Sequence, residues 1–522
     1  MGVRHNRRMQ DLAVLAAPLA AVDMGSNSFR LEIGQLQHGR YRRIDYHKET
    51  VRLGGGLDTN GMLTDTAAER GLECLRRFAE RLRGFAPGRV RAVATQTLRE
   101  ARNRDAFLVR AEAALGHPVE VISGREEARL IYAGVAHLQP SERARLVVDI
   151  GGRSTEMILG AGREPKVAES FGVGCVSLSQ RYFERGELSA AGFRAAQIAA
   201  GAELEEALEP FARRHWREAL GSSGTAGAVS LVLQTARVTD GSITPAGLRW
   251  CIERCIEAGH VERVQLPGLK PERRAVLPGG LAILYTLATH FDIPELVPAR
   301  GALRQGVIID LHERREARER ARPGDMRDAT VRELQRRFQV DSGQAQRVER
   351  VALALFDAVR PEAPGEVRRE LGWAALLHEV GLMVSHHDHH RHSAYLLGHV
   401  DAPGFSQSQQ RILGNLVLGQ RGGLRKLEMW LTGEVFAWQV LCLRLAVIAC
   451  HARALFDGMP LQLEARGREA LLQFVPGWAQ RHPRTVFLLQ EESETWARSG
   501  PLRLLLPAAD ATASAAPAAI AD

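Results

Sequence analysis

Cysteine is scarce in this 522-residue chain and none of it is paired: Cys74, Cys175, Cys251, Cys255, Cys442 and Cys450 form no CxxC, and Cys251 and Cys255 merely share a helix face. The pattern reads as reduced, structural thiols, in keeping with a cytoplasmic protein. Also missing is any apolar run approaching the ~20 residues that cross a bilayer, which excludes a transmembrane helix. The opening MGVRHNRRMQDLAVLAAPLAAVD has the basic head, apolar run and small residues of an export signal. Pro18 interrupts that run, however, and cleavage would cut into a strand that leads to the first chemical motif, so the segment is read as part of the protein. Acid is in short supply: 61 Asp and Glu stand against 69 Lys and Arg, a formal charge of +8. Such an excess concentrates polyanions near the surface, and nucleic acid, polyphosphate and highly phosphorylated nucleotides all fit it. A merely Arg-rich composition fits it equally well.

The apolar and charged fractions, 45% and 25%, argue against wholesale disorder, and the length exceeds what one core can hold. From Ala20 to about Arg43 the pattern is strand, turn DMGSNS, strand FRLEIGQLQ, turn HG, strand; helical periodicity follows from Asp65 to Phe85. A strand at Val90 to Thr95, a helix at Asn103 to Leu115 and the strand PVEVIS complete an alternating α/β lobe. RLVVDIGG opens a second lobe of the same class, ending near DLHERR, and HERREARERAR before Pro323-Gly324 reads as an exposed helical linker. The expected division is therefore two lobes at 18–132 and 133–315, an all-helical, histidine-rich domain at 325–455, a small α/β domain at 456–506 with strand-like LLQFV, TVFLLQ and LRLLL, and a disordered tail at 507–522.

Asp23-Met-Gly-Ser-Asn-Ser-Phe29 and Asp149-Ile-Gly-Gly-Arg-Ser-Thr155 share the frame D-x-G-[GS]-x-S after an apolar strand, which implies a duplicated lobe. A strand that ends in Asp and turns through Gly and Ser places a carboxylate, bare amides and a hydroxyl around one small volume, as a metal-bound phosphate requires. One such loop is as often a plain hairpin, but two in matched lobes point to a phosphate cleft between them, and Gly221-Ser-Ser-Gly-Thr225 fits the same cleft. In Ile122-Ser-Gly-Arg-Glu-Glu-Ala128 two adjacent carboxylates stand at a strand-to-helix turn capped by Ser123. Helical neighbours face different ways, so one of Glu126 and Glu127 is expected to be a solvated first-turn charge while the other enters the cleft.

The blocks AVDMGSNSFRLEI, ATQTLREARN, VISGREEARLIYAGV, LVVDIGGRSTEMILG, ESFGVGCVSLSQRYF, GSSGTAGA, LPGGLAILYTL and RGALRQGVIIDL, in order from Val22 to Leu311, resemble the signatures of the exopolyphosphatase and guanosine pentaphosphate phosphohydrolase family. LLHEVG and HRHSAYLL resemble its third domain. The resemblance implies a duplicated, actin-like (ribonuclease H-like) core and hydrolysis of a terminal phosphoanhydride. It implies Glu127 as general base, Asp149 and Glu156 as catalytic metal-site carboxylates together with Asp23, and Arg99 as a substrate-phosphate contact. Ser26, Asn27, Gly151, Gly152 and Ser154 would form the phosphate loops, joined by Gly224 and Thr225. Magnesium or another divalent cation, potassium stimulation and a homodimer are further implications. Arg153 replaces the family's usual third glycine, and it is expected to point outward and add a phosphate contact. The helical domain resembles an HD phosphohydrolase domain, but its pair is His378-Glu379, so a structural and substrate-channel role is expected; His386 to His392 are alternatively a pH-sensitive or polyanion-binding face. Inorganic polyphosphate is the favoured substrate on charge. Guanosine pentaphosphate hydrolysis and a non-catalytic polyanion sensor are the alternatives, and specific nucleic-acid recognition is not expected.

Overall fold

The computed structural model describes residues 17–320, 324–453, 459 and 461–507, and the chain divides into two compact units, Met1–Asp325 and Met326–Asp522. The expected tail lies, from residue 508, outside the described residues, as does most of the opening segment. No helix among the described residues is long and apolar enough to cross a membrane.

The first unit is built on two five-stranded sheets. One contains β1 (Leu19–Met24), β2 (Phe29–Gln37), β3 (Arg40–Glu49), β4 (Val90–Ala94) and β5 (Val119–Val121), in the order β3-β2-β1-β4-β5. The other contains β6 (Arg145–Ile150), β7 (Thr155–Ala161), β8 (Glu164–Phe171), β9 (Glu218–Gly221) and β10 (Val297–Pro298), in the order β8-β7-β6-β9-β10. In both, the first three strands form an antiparallel meander and the last two run parallel to the first. Even the irregularities repeat, with a register shift at Ile33/Gly34 in one meander and at Leu159/Gly160 in the other. The duplication legible in two short loops thus extends over whole sheets, giving the two-lobed α/β core of the actin-like type.

Local chemistry explains these strands. β1 is central and buried along its whole length, which its unbroken apolar run LAAV allows; β3 is an edge strand and carries RYRR and HKE, charges that protect an open edge. Two helices, Gly124–Leu138 and Leu303–Arg320, fill the space between the sheets: Ile131, Val135, Val307 and Ile308 pack with Leu19, Ala21 and Val93 of one lobe and with Val147, Ile158 and Leu220 of the other. The division expected at residue 132 falls inside the first of these helices, which serves both lobes. Their backbones nearly touch, because a methyl group on Gly306 would sit 1.7 Å from the carbonyl oxygen of Leu130.

The second unit is mainly helical, from Met326–Arg337 to Glu434–Ala449, followed by β11 (Leu461–Arg466), β12 (Glu469–Phe474) and β13 (Arg503–Leu505) in one sheet. A sheet this small gains stability by packing its apolar face against other elements. Leu461, Leu463, Leu472 and Leu504 accordingly share one hydrophobic core with Val348, Leu416 and Leu441, and the expected small end domain is part of the helical one. TVFLLQ, expected as strand, lies in the helix Pro483–Ser499, where Pro483 opens the helix and Leu489, Glu492 and Trp496 bury one face.

Candidate functional site

Each lobe ends its first strand in an aspartate and turns through glycine toward the other lobe. In the first loop the carbonyl oxygens of Ser26 and Asn27 accept from the amides of Gly54 and Arg52; in the second, Gly151 donates to Ser154 O at 2.9 Å. The loops abut so closely that a methyl group on Gly152 would lie 3.2 Å from Ser26 Cβ. A third element arrives at the N-terminus of the helix Gly224–Thr235, where Ser223 caps the amides of Thr225 and Ala226, and Thr225 Oγ1 donates to Ile150 O. Between them lies a cavity of about 510 Å³ lined by Asp23, Ser26, Asn27, Glu127, Asp149, Gly151, Gly152, Ser154, Gly224 and Thr225. Arg99 and Glu156 lie one layer behind this wall. Arg99, expected as a substrate-phosphate contact, donates from Nη1 to Glu127 Oε2 at 2.8 Å and to Ile122 O at 3.0 Å.

The duplication has diverged chemically at the first strand pair. In lobe I, Asp23 sits opposite Arg30, and its Oδ2 accepts from Arg30 and Arg304, both at 3.3 Å. In lobe II the corresponding pair is Asp149 opposite Glu156, two carboxylates directly across the ladder. Burial and the nearby Glu127 carboxylate push Asp149 up to about 7, against a favourable bond from Ser222. Glu156 is pushed well up by burial and by repulsion from Glu127 and Asp149, while its Oε1 accepts from Ser170 at 2.8 Å. Burial also raises Glu127, opposed by Arg99. Three crowded carboxylates, Glu127, Asp149 and Glu156, suit a cation. Among the described residues no three His, Cys, Asp or Glu side chains converge as metal ligands, so the expected Asp23, Asp149 and Glu156 set is not a preformed cage. Asp23 is already neutralised by two guanidinium groups.

Glu126 departs from expectation. It is only 2% exposed, and Ser123 does cap its amide, but its carboxylate accepts from Arg129 at 2.7 and 2.8 Å within a buried cluster that includes Arg91 and Asp310. Neither member of the glutamate pair is solvated. Arg153 is not among the residues that line the cavity: it donates to Glu100 Oε2 at 2.7 and 3.0 Å and to Gly54 O at 3.3 Å, bridging the lobes.

Sequence reasoning missed the cationic wall. Arg30, Arg43, Lys48, Lys270, Arg273, Arg300 and Arg304 all line the same cavity. Burial and neighbouring Arg273 press Lys48 down to about 8, and Arg304 stacks over Tyr46 at 5.3 Å. The signal available was the basic alternation of RYRRIDYHK and the two arginines of RGALRQG.

In the second unit, Glu379 accepts from Arg453, and His378 Nδ1 lies 2.7 Å from Ala375 O. His378, His389 and His390 are buried and pushed down to about 4, so the last two take no part in a titrating polyanion face. His386 and His387 are the exposed members of that run.

Solved structures are similar to part of this chain. An exopolyphosphatase from Cytophaga hutchinsonii is 24% identical with a TM-score of 0.52, covering 57% of this chain and 98% of its own. The Aquifex aeolicus member of the Ppx/GppA family is 25% identical with a TM-score of 0.48, covering 56% and 96%. The family model for Ppx/GppA phosphatases matches residues 33–315, and that for domain III of the same phosphatases matches 326–493. Since the two matches run in order through both compact units and include the second Asp-Gly-Ser loop and Glu127, this chain belongs to the Ppx/GppA phosphatase family.

Proposed function

We propose that this protein is an exopolyphosphatase that removes terminal phosphates from inorganic polyphosphate. The observation that carries the reading is the charge of the cleft: seven Lys and Arg side chains line the same cavity as the phosphate loops, Asp23, Glu127 and Asp149. A polyanion held by those cations would present its terminal phosphate to bare loop amides. Arg99 fixes Oε2 of Glu127, leaving the other carboxylate oxygen to take the proton from an attacking water. Asp149 and Glu156 are the groups that would hold a divalent cation, which would supply charge neutralisation at the scissile phosphoanhydride. Gly152 and Gly224 keep the loop approach open, and Arg30 and Arg304 hold Asp23 beside it. With this reading go potassium stimulation, a cytoplasmic location and a homodimer.

The test is steady-state kinetics of the full-length protein on long polyphosphate and on guanosine pentaphosphate side by side. A higher kcat/KM on polyphosphate is expected. A higher value on guanosine pentaphosphate would transfer the assignment to nucleotide hydrolysis, and hydrolysis of neither would leave a polyanion sensor.

A further inference from the structure

A second cavity of about 310 Å³ lies on the far side of the phosphate loops. Ser26 and Asn27 line both cavities; the rest of the second is Arg52, Gly55 and Arg70 from lobe I and Val176, Ser179, Gln180, Ala275 and Val276 from lobe II. Its lining includes two arginines and no carboxylate. The Arg70 guanidinium is spent on the backbone carbonyls of Val51, Thr66 and Arg52. Arg52 is different: it is exposed, it has no side-chain hydrogen bond or ion pair among the described residues, and its backbone is held at φ +54°. Such a conformation costs roughly 1 kcal/mol or more in a non-glycine residue and persists where surrounding structure imposes it. Here the Arg52 amide is bonded to Asn27 O at 2.9 Å, so the strained residue is tied to the phosphate loop itself.

A methyl on Gly152 would meet Ser26 Cβ at 3.2 Å and Asn27 N at 3.6 Å, so the second loop touches the two residues that line both cavities, and the Arg153 bridge to Glu100 and Gly54 O joins the lobes beside that contact. This arrangement answers a geometric problem that follows from the proposed function, on which the inference rests. A polymer held along the cationic wall has its terminal phosphate innermost. Once that phosphate is hydrolysed, the shortened polymer stands between it and the mouth.

We propose that the second cavity is an orthophosphate site through which product leaves while polymer remains bound, with Arg52 as its anion-binding group. The Asn27 and Gln180 amides and the Ser26 and Ser179 hydroxyls supply the remaining donors, and 310 Å³ is ample for one phosphate. The ligand class is a single tetrahedral oxyanion, too short to reach from this cavity to the cationic wall.

The experiment is product inhibition of the full-length protein by inorganic phosphate during long-polyphosphate hydrolysis, for wild type, Arg52→Gln, Arg52→Lys and Gln180→Glu. A site filled beside bound polymer makes inhibition non-competitive. Arg52→Gln should raise the inhibition constant roughly tenfold, as expected for loss of one charge-assisted bond, Gln180→Glu should raise it too, and Arg52→Lys should restore most of it. Purely competitive inhibition that none of the variants changes would overturn the proposal. Direct phosphate binding to resting wild type and Arg52→Gln, followed by calorimetry, separates the two readings. If the protein hydrolyses no polyphosphate yet binds phosphate through Arg52, the exopolyphosphatase assignment fails and the site stands; equal binding by both proteins sinks the site whatever the substrate.

Discussion

Glu126 and Glu127 are adjacent in sequence and differ entirely in environment: one closes a buried cluster with Arg129, the other faces the cleft with one oxygen held by Arg99. Glu127→Gln should therefore retain substrate affinity while lowering kcat by roughly two or more powers of ten, measured as separate kcat and KM on polyphosphate. Glu126→Gln should act on stability first, since it leaves Arg129 partly uncompensated in a buried site. Asp149 gives a pH prediction. Its carboxyl is raised to about 7 in the fold, so it favours the folded state fully at pH below its ordinary carboxylate value and loses that contribution as pH rises through 7. In chelator, the melting temperature should fall between pH 5 and 8 more steeply in wild type than in Asp149→Asn. Added magnesium should flatten the wild-type curve and barely alter the variant; an identical magnesium response in both would remove Asp149 from the cation site.

At the scale of elements, the crossing of the helices Gly124–Leu138 and Leu303–Arg320 sets the geometry of everything in the cleft. The first helix carries Glu127 near its start, the second opens with Arg304, and both are locked to β4 by Asp310, whose carboxylate accepts from Arg91 at 2.7 Å and from Arg129 at 2.6 Å. Burial raises the cost of ionising Asp310, yet the adjoining Arg314, Arg129 and Arg91 hold its carboxyl far below the usual range. The close approach depends on glycine: a methyl on Gly134 would meet Ala302 O at 2.4 Å and one on Gly306 would meet Leu130 O at 1.7 Å, both backbone atoms. Gly306→Ala should therefore destabilise by roughly 1–3 kcal/mol or more, read as a lowered melting temperature, and should weaken turnover through the shifted helix. A variant that melts and turns over like wild type would show that the helices can separate without consequence.

For the whole molecule, the two compact units permit a clean cut. The unit Met1–Asp325 has its own cores, so a chain ending there should fold and hydrolyse short polyphosphate. In the second unit Arg391, Arg421 and Arg425 are exposed cations, the kind of group that holds a long polyanion. Each such contact releases condensed counterions, so KM for long chains should rise with salt more steeply in the full-length protein than in the truncated one. Equal salt slopes for both proteins, measured on long and short substrates, would exclude polymer holding by the second unit.

The sequence by itself determined the lobes, the paired Asp-Gly-Ser loops, the capped turn that carries Glu127, and the family. All of these are local: a buried strand needs an apolar run, a phosphate turn needs glycine and a cap needs serine, each within a few residues. Only the tertiary structure decided that Glu126 is buried and paired where one solvated glutamate was expected, since it bonds Arg129 and the distant Arg91, both of which also bind Asp310. It also decided that Arg99 serves Glu127, that Arg153 spans to Glu100, and that seven cations from segments between Arg30 and Arg304 line one wall. TVFLLQ was misread for the same reason: six apolar and polar residues suit a strand or a helix, and the choice fell to the core that buries Leu489 and Trp496. Side-chain partners set by long-range packing leave no periodic trace in the chain, and it is those partners that surround the two loops with buried carboxylates and seven cations in one cavity.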